Sequence, residues 1–157
     1  MSDKGQILTA IGNAIQSITF ATAINGAVNW RNQILNSSGV PNKLRLWSTV
    51  SAEEQPAAFL VTHLERDEYR GLGLVRRRLE LGVWCYSRAD NAPGAPDLDV
   101  MVKALEGAII TPDNFSTNCN TLGGLVYWCR IEGRLFKDPG DIDSQALLIL
   151  PIVVEMP

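Results

Sequence analysis

Residues 121–154 read TLGGLVYWCRIEGRLFKDPGDIDSQALLILPIVV. Two runs rich in strand-forming residues, 125–136 and 146–154, flank the polar segment Lys137-Asp138-Pro139-Gly140-Asp141-Ile142-Asp143. Proline fixes φ, glycine supplies positive φ, and aspartate bonds back to its own backbone, so the polar segment has turn chemistry. The stretch predicts a long antiparallel hairpin that sets both runs in one sheet.

Working outward, residues 74–86 form the clearest single strand. Val75, Arg77, Leu79, Leu81, Val83 and Cys85 fall on one face, and Arg76, Arg78, Glu80, Gly82, Trp84 and Tyr86 on the other. Residues 57–65 alternate Phe59, Val61 and His63 against Leu60, Thr62 and Leu64, and residues 65–73 read as a charged, glycine-containing hairpin tip. Leu98, Met101, Val102, Leu105, Ala108 and Ile109 recur at helical spacing over 97–110, with Asp97 and Asp99 suited to the positive N-terminal end. Ile7, Leu8, Ile11, Ala14, Ile15 and Ile18 give a second helix over 4–18. Residues 18–22 are β-biased, 25–40 read as an inserted excursion carrying Trp30, and 43–47 as a strand returning from it. Loops are expected at 87–96 and 111–121.

Strands arriving in adjacent pairs, with two helices between them, predict an α+β fold. It is a mainly antiparallel, single-layer sheet with helices packed on one face. At 157 residues the chain has the size of one domain.

Composition removes several classes of function. A formal charge of −3 gives no general attraction to nucleic acid or to an anionic membrane. No apolar run approaches the roughly 18 residues of a membrane span, and the first ten residues read as a mature cytosolic start. Cys85, Cys119 and Cys129 are odd in number and lack Cys-x-x-Cys spacing; Cys85 and Cys129 sit in apolar strand patterns, as small buried hydrophobes do. With His63 the only histidine, zinc has no ligand set, and neither metal nor cofactor is expected.

The candidate constellations read the same way. Gly71-Leu72-Gly73 precedes a strand instead of linking strand to helix, so a hairpin tip fits better than a phosphate loop. Arg76 and Arg78 share a face with Glu80, a pattern suited to ion pairs between proteins as well as to DNA. Glu132, Asp138, Asp141 and Asp143 are enough carboxylates for a metal-dependent nuclease, but three of the four lie in the proline–glycine turn. His63 has no nucleophile context and reads as a partly buried strand histidine. Trp84 and Tyr86 beside Arg76, Arg78 and Glu80, and Trp128 beside Arg130, Glu132 and Arg134, have the composition of interface hot spots.

Several segments read in order resemble the phage tail terminator family, the tail-completion proteins of long-tailed bacteriophages. They are Lys43-Leu-Arg-Leu-Trp-Ser48, Gln55-Pro-Ala-Ala-Phe-Leu-Val61, Arg78-Leu-Glu-Leu81 and Tyr86-Ser-Arg-Ala-Asp90. Leu122-Gly-Gly-Leu-Val126, Ile131-Glu-Gly133, Lys137-Asp-Pro-Gly-Asp141 and Gln145-Ala146 follow, so the likeness covers most of 43–157. The resemblance implies one terminator-like domain over 1–157, with 25–40 as an insertion. It implies a non-enzymatic virion protein at the head-proximal end of the tail, assembled in the host cytoplasm. Subunits would form a ring, six in the best-known members, that caps the tail tube, ends its polymerisation and presents a surface to the head connector. Partners implied are the chain itself, the tube protein and the connector, with genomic DNA passing only through the lumen and no membrane. The neighbouring reading is another head–tail joining or neck protein; the more distant one is the nuclease. Contacts with a subunit or the tube fall on Trp30, Arg66, Arg70, Arg76, Arg78, Glu80, Trp84, Arg130, Glu132, Arg134, Asp138 and Asp141.

Overall fold

A computed structural model describes residues 4–22, 26–29, 50, 55–69, 71–73, 75–88, 98–113, 116, 118–138 and 145–157. The elements run α1 (Lys4–Gln16), β1 (Thr19–Thr22), β2 (Gly26–Asn29), β3 (Ala57–Tyr69), β4 (Val75–Arg88), α2 (Leu98–Ile110), β5 (Trp128–Ile131), β6 (Phe136–Asp138) and β7 (Gln145–Met156). The fold is α+β: two helices contact an open five-strand antiparallel sheet. Its order is β3-β4-β7-β5, with β6 also on β7, while β1 and β2 form a separate antiparallel pair.

The period-two pattern of β4 is met by the core. Leu79, Leu81, Val83 and Cys85 bury against Leu148, Leu150, Ile152 and Val154 of β7. The same cluster takes Ile7, Ile11 and Ile15 from α1, and Leu98, Met101, Val102, Leu105 and Ile109 from α2. Each such leucine or isoleucine contributes about 1.5–3 kcal/mol by leaving water. Alternate residues form a second cluster of Val50, Ala57, Phe59, Tyr86 and Leu147, with Val61, Trp84 and Ile149 packed partly against it. Phe59 and Tyr86 meet edge to face with centroids 5.8 Å apart.

Four expectations change. Residues 65–69, read as hairpin tip, are strand: Glu65, Arg66, Asp67, Glu68 and Tyr69 pair with Leu79, Arg78, Arg77, Arg76 and Val75. Beyond them Gly71, Leu72 and Gly73 form the turn, all with positive φ. Opposite charges on the two arms hold a pairing that apolar alternation does not announce.

The predicted strand over 125–136 begins only at Trp128 and breaks between β5 and β6. Opposite the break lies Pro151. Glu132 N–H donates to its carbonyl at 3.4 Å, and the proline has no N–H to return. The ladder resumes at Phe136, opposite Ile149.

The excursion over 25–40 begins as strand, since Gly26–Asn29 pairs with Thr19–Thr22. Its remainder, Trp30 included, lies outside the described residues, as do the strand expected at 43–47, Arg70 and Asp141. Finally, His63 is exposed, next to a register shift between Thr62 and Leu64.

Leu105 is fully buried in α2, whereas Ile110 on the same helix is about half exposed. Leu105→Ala is expected to cost about 2–5 kcal/mol in urea unfolding, with an unchanged m-value. Ile110→Ala should stay within about 0.5 kcal/mol. Equal losses for the two variants would refute this packing of α2.

Candidate interaction surface

Beyond the second apolar cluster, the sheet face turned from the helices' core becomes ionic. β3, β4, β5 and the residue following β5 bring Arg66, Glu68, Arg76, Arg78, Glu80, Arg130 and Glu132 together because alternation points them the same way. Arg78 is the hub. Its side chain is only 18% exposed, with Glu80 at 3.1 Å, Glu132 at 3.2 Å and Glu68 at 4.0 Å. Partial burial works against its charge, but hydrogen bonds to Glu132 and Glu80 outweigh that and raise its pKa. The hydrogen bond from Arg78 in turn pulls the Glu132 carboxyl down; desolvation opposes this and Arg130 adds to it.

Arg130 closes on Glu132 at 2.7 Å and lies over the Trp128 ring, 4.0 Å from its centroid. Arg66 reaches Glu68 at 3.1 Å and Glu80 at 4.0 Å. Arg76 bonds Glu155 at 3.0 Å while lying 4.3 Å from the Tyr127 centroid. Glu155 is the most buried of these carboxylates, 3% exposed, inside the apolar run of β7. Tyr127 N–H also donates to its main-chain carbonyl at 2.9 Å. Nothing in the sequence around Glu155 announces this pair, since its arginine lies 79 positions away.

Trp84 Nε1–H donates to His63 Nε2 at 3.1 Å. The His63 ring packs against Gly82, where an added Cβ would come within 2.4 Å of Cε1. Of the remaining expected contact residues, Arg134 is exposed after Gly133, and Asp138 is half-buried on β6 opposite Leu147.

The turn leading into β5 is held by one carboxylate that the sequence reading passed over. Asp113 accepts from Thr121 N–H at 2.6 Å, Thr121 Oγ1 at 2.9 Å and Gly123 N–H at 2.7 Å. Desolvation is the largest single influence and raises its pKa, but these bonds together prevail and hold it below the ordinary 3.8. Asn120, buried beside it, donates from Nδ2 to the Ile109 carbonyl at 2.8 Å, satisfying one of the open carbonyls at the end of α2. Asn120 Oδ1 accepts from Leu122 N–H at 2.9 Å.

Burial pushes the Cys129 thiol up to about 12, with the Asp113 charge adding to it, and raises Cys85 further; neither is a ready nucleophile. Among the described residues no three His, Cys, Asp or Glu side chains are grouped to hold a metal ion, and no helix is long and apolar enough to cross a membrane. No protein-family model matches the chain, and no curated protein sequence is significantly similar to it.

Arg76→Met is expected to cost about 1–3 kcal/mol, mostly from leaving the Glu155 carboxylate buried without that guanidinium. Arg130→Ala, which loses an exposed pair, should cost less than about 1 kcal/mol. Chemical denaturation of both variants measures the difference, and an Arg130→Ala loss as large as that of Arg76→Met would contradict it.

For Asp113 the folded pKa is depressed, so its contribution is complete above 3.8 and disappears as pH falls through the lower folded value. The stability gap between wild type and Asp113→Asn should therefore be constant near neutrality and narrow only below 3.8. A gap that closes between pH 7 and 5 would mean that another group is responsible.

Proposed function

We propose that this protein is a structural virion component of the tail terminator type. Its subunits assemble into a ring, six in number, that caps the tail tube, ends polymerisation and receives the head connector. The observation that carries the reading is the division of the sheet. One face is taken by the core shared with both helices, and the other bears an ordered band of arginines, glutamates and aromatics. The resemblance of the segments from 55–61 to 145–146, read in order, to that family is a second support for this reading.

Supporting this, the ionic band is laid out for recognition instead of catalysis. Arg66 and Arg130 keep about half their side-chain surface in water while already held by Glu68 and Glu132. Pre-oriented charges of this kind govern register and encounter rate between subunits more than net affinity. The helix-and-sheet subunit is the α+β form that the resemblance implies, and an open sheet is suited to lateral repetition around an axis.

The purified protein should scatter light as a closed species of six times 17.2 kDa, alone or once tube protein is added. Negative-stain images should show rings at one end of tubes of uniform length. Monomers at every concentration, together with tubes whose length the protein leaves unchanged, would overturn the proposal.

A further inference from the structure

The break between β5 and β6 begins after Ile131 and carries the sequence Glu132-Gly133-Arg134-Leu135. Arginine is the residue selected by serine proteases whose specificity pocket holds a carboxylate. Within a paired strand such a bond would be closed to them. Here the fold holds it outside the ladder.

Two residues keep it there. Pro151 on β7 has no N–H to offer the facing segment, and Glu132 N–H reaches its carbonyl only at a long 3.4 Å. Gly133 has φ +125°, a conformation that glycine adopts without strain, and an added Cβ would lie 3.3 Å from the Pro151 ring. Every residue from Gly133 to Lys137 is exposed, Leu135 by 39%.

Arg134 also differs from the other arginines whose surroundings the structure describes. Arg66, Arg76, Arg77, Arg78 and Arg130 lie within paired strands, and each holds a carboxylate. Arg134 lies on no strand and pairs with no carboxylate among the described residues. Its side chain can enter a protease pocket without leaving a charge unpaired behind it. Exposed backbone outside the regular elements is where proteolytic nicking concentrates.

The piece beyond this bond is firmly held. Residues 135–157 contain β6 and β7, and β7 pairs with β4 from Met156 opposite Arg77 to Gln145 opposite Arg88. β5 lies along its other side, and Leu148, Leu150, Ile152 and Val154 are buried in the core. None of these contacts needs a covalent link to residue 134.

We propose that the Arg134–Leu135 bond is a processing site for an arginine-specific serine protease, and that the cut subunit stays assembled from its two pieces. Hydrolysis breaks the bond between the Arg134 carbonyl carbon and the Leu135 nitrogen. Water supplies the hydroxyl to the carbonyl and a proton to the nitrogen. The products are a carboxylate on Arg134 and an ammonium on Leu135, two new charges next in sequence to the Arg78–Glu132 pair. The proposal goes beyond the ring-forming reading and does not depend on it.

The test uses the full chain in native buffer with trypsin at a low ratio, sampled over time by mass spectrometry. The piece 135–157 should appear, co-elute with the rest of the chain in gel filtration, and separate from it in urea. Arg134→Gln alters a side chain already in water, so it should melt as wild type and slow this cut by about tenfold or more. Leu105→Ala separates local exposure from unfolding of the whole core. Its cut at Arg134 should stay within about twofold of wild type, whereas cleavage through global unfolding would accelerate by more than about tenfold.

Failure to release 135–157 from the folded chain overturns the site, and so does a strongly accelerated cut in Leu105→Ala. A piece that elutes alone in native buffer overturns the retained, two-part subunit. Each of these outcomes leaves the ring-forming reading to its own test on the uncut chain.

Discussion

Leu79, Leu81, Val83 and Cys85 stand opposite Val154, Ile152, Leu150 and Leu148 across the β4–β7 ladder, all on the face that meets both helices. A slip of one residue would turn the whole apolar set of β7 away from the helices and bring Pro151 and Glu155 into their place. That penalty fixes the register, and the register places much of the rest. It sets Glu155 beside Arg76, aligns β5 and β6 along the far side of β7, and puts the break between them at the proline. The helices cover a face whose position the ladder has already decided.

The reverse face follows from the same alternation but has two characters along its length. Phe59, Tyr86 and Leu147 pack at one end; Arg76, Arg78, Glu80 and Glu132 pair at the other. Arg66 and Arg78 are directly opposed in the β3–β4 ladder, a like-charge placement that Glu68 and Glu80 relieve from the diagonal positions. Such a network holds side chains in fixed orientations without much net stabilisation in the exposed pairs. Salt should weaken its exposed pairs before it weakens the fold.

The sequence was most legible where one face of an element is buried and the other is not. The alternation of β4 and the helical spacing of Leu98, Met101, Leu105 and Ile109 could be read directly, because burial enforces the period. The outer half of β3 was hidden, since Glu65, Arg66, Asp67 and Glu68 are held in the strand by charges on β4, and ion pairing leaves no apolar period. The interruption of the last hairpin was set by Pro151 on the opposite strand, a cause remote from the residues it affects. Strand parity alone set Arg76, Arg78 and Glu80 on one face, as the β4 ladders do. Glu155 and Asp113 were missed because each is defined by partners brought near only by folding.

The position of β7 also governs the order in which this chain can acquire structure. It lies between β4 and the β5–β6 pair in space, yet follows all of them along the chain. During synthesis the β3–β4 hairpin can form early, but the sheet has no centre until residues 145–156 arrive. Until then β4 keeps an open edge and its apolar face lacks the strand that completes it. Pairing at such long sequence separation belongs to the slow class of folding reactions, with unpaired edges exposed during the wait. Arginines and glutamates flanking that edge, and a proline within the arriving strand, make the incomplete sheet a poor template for mispairing with another nascent copy.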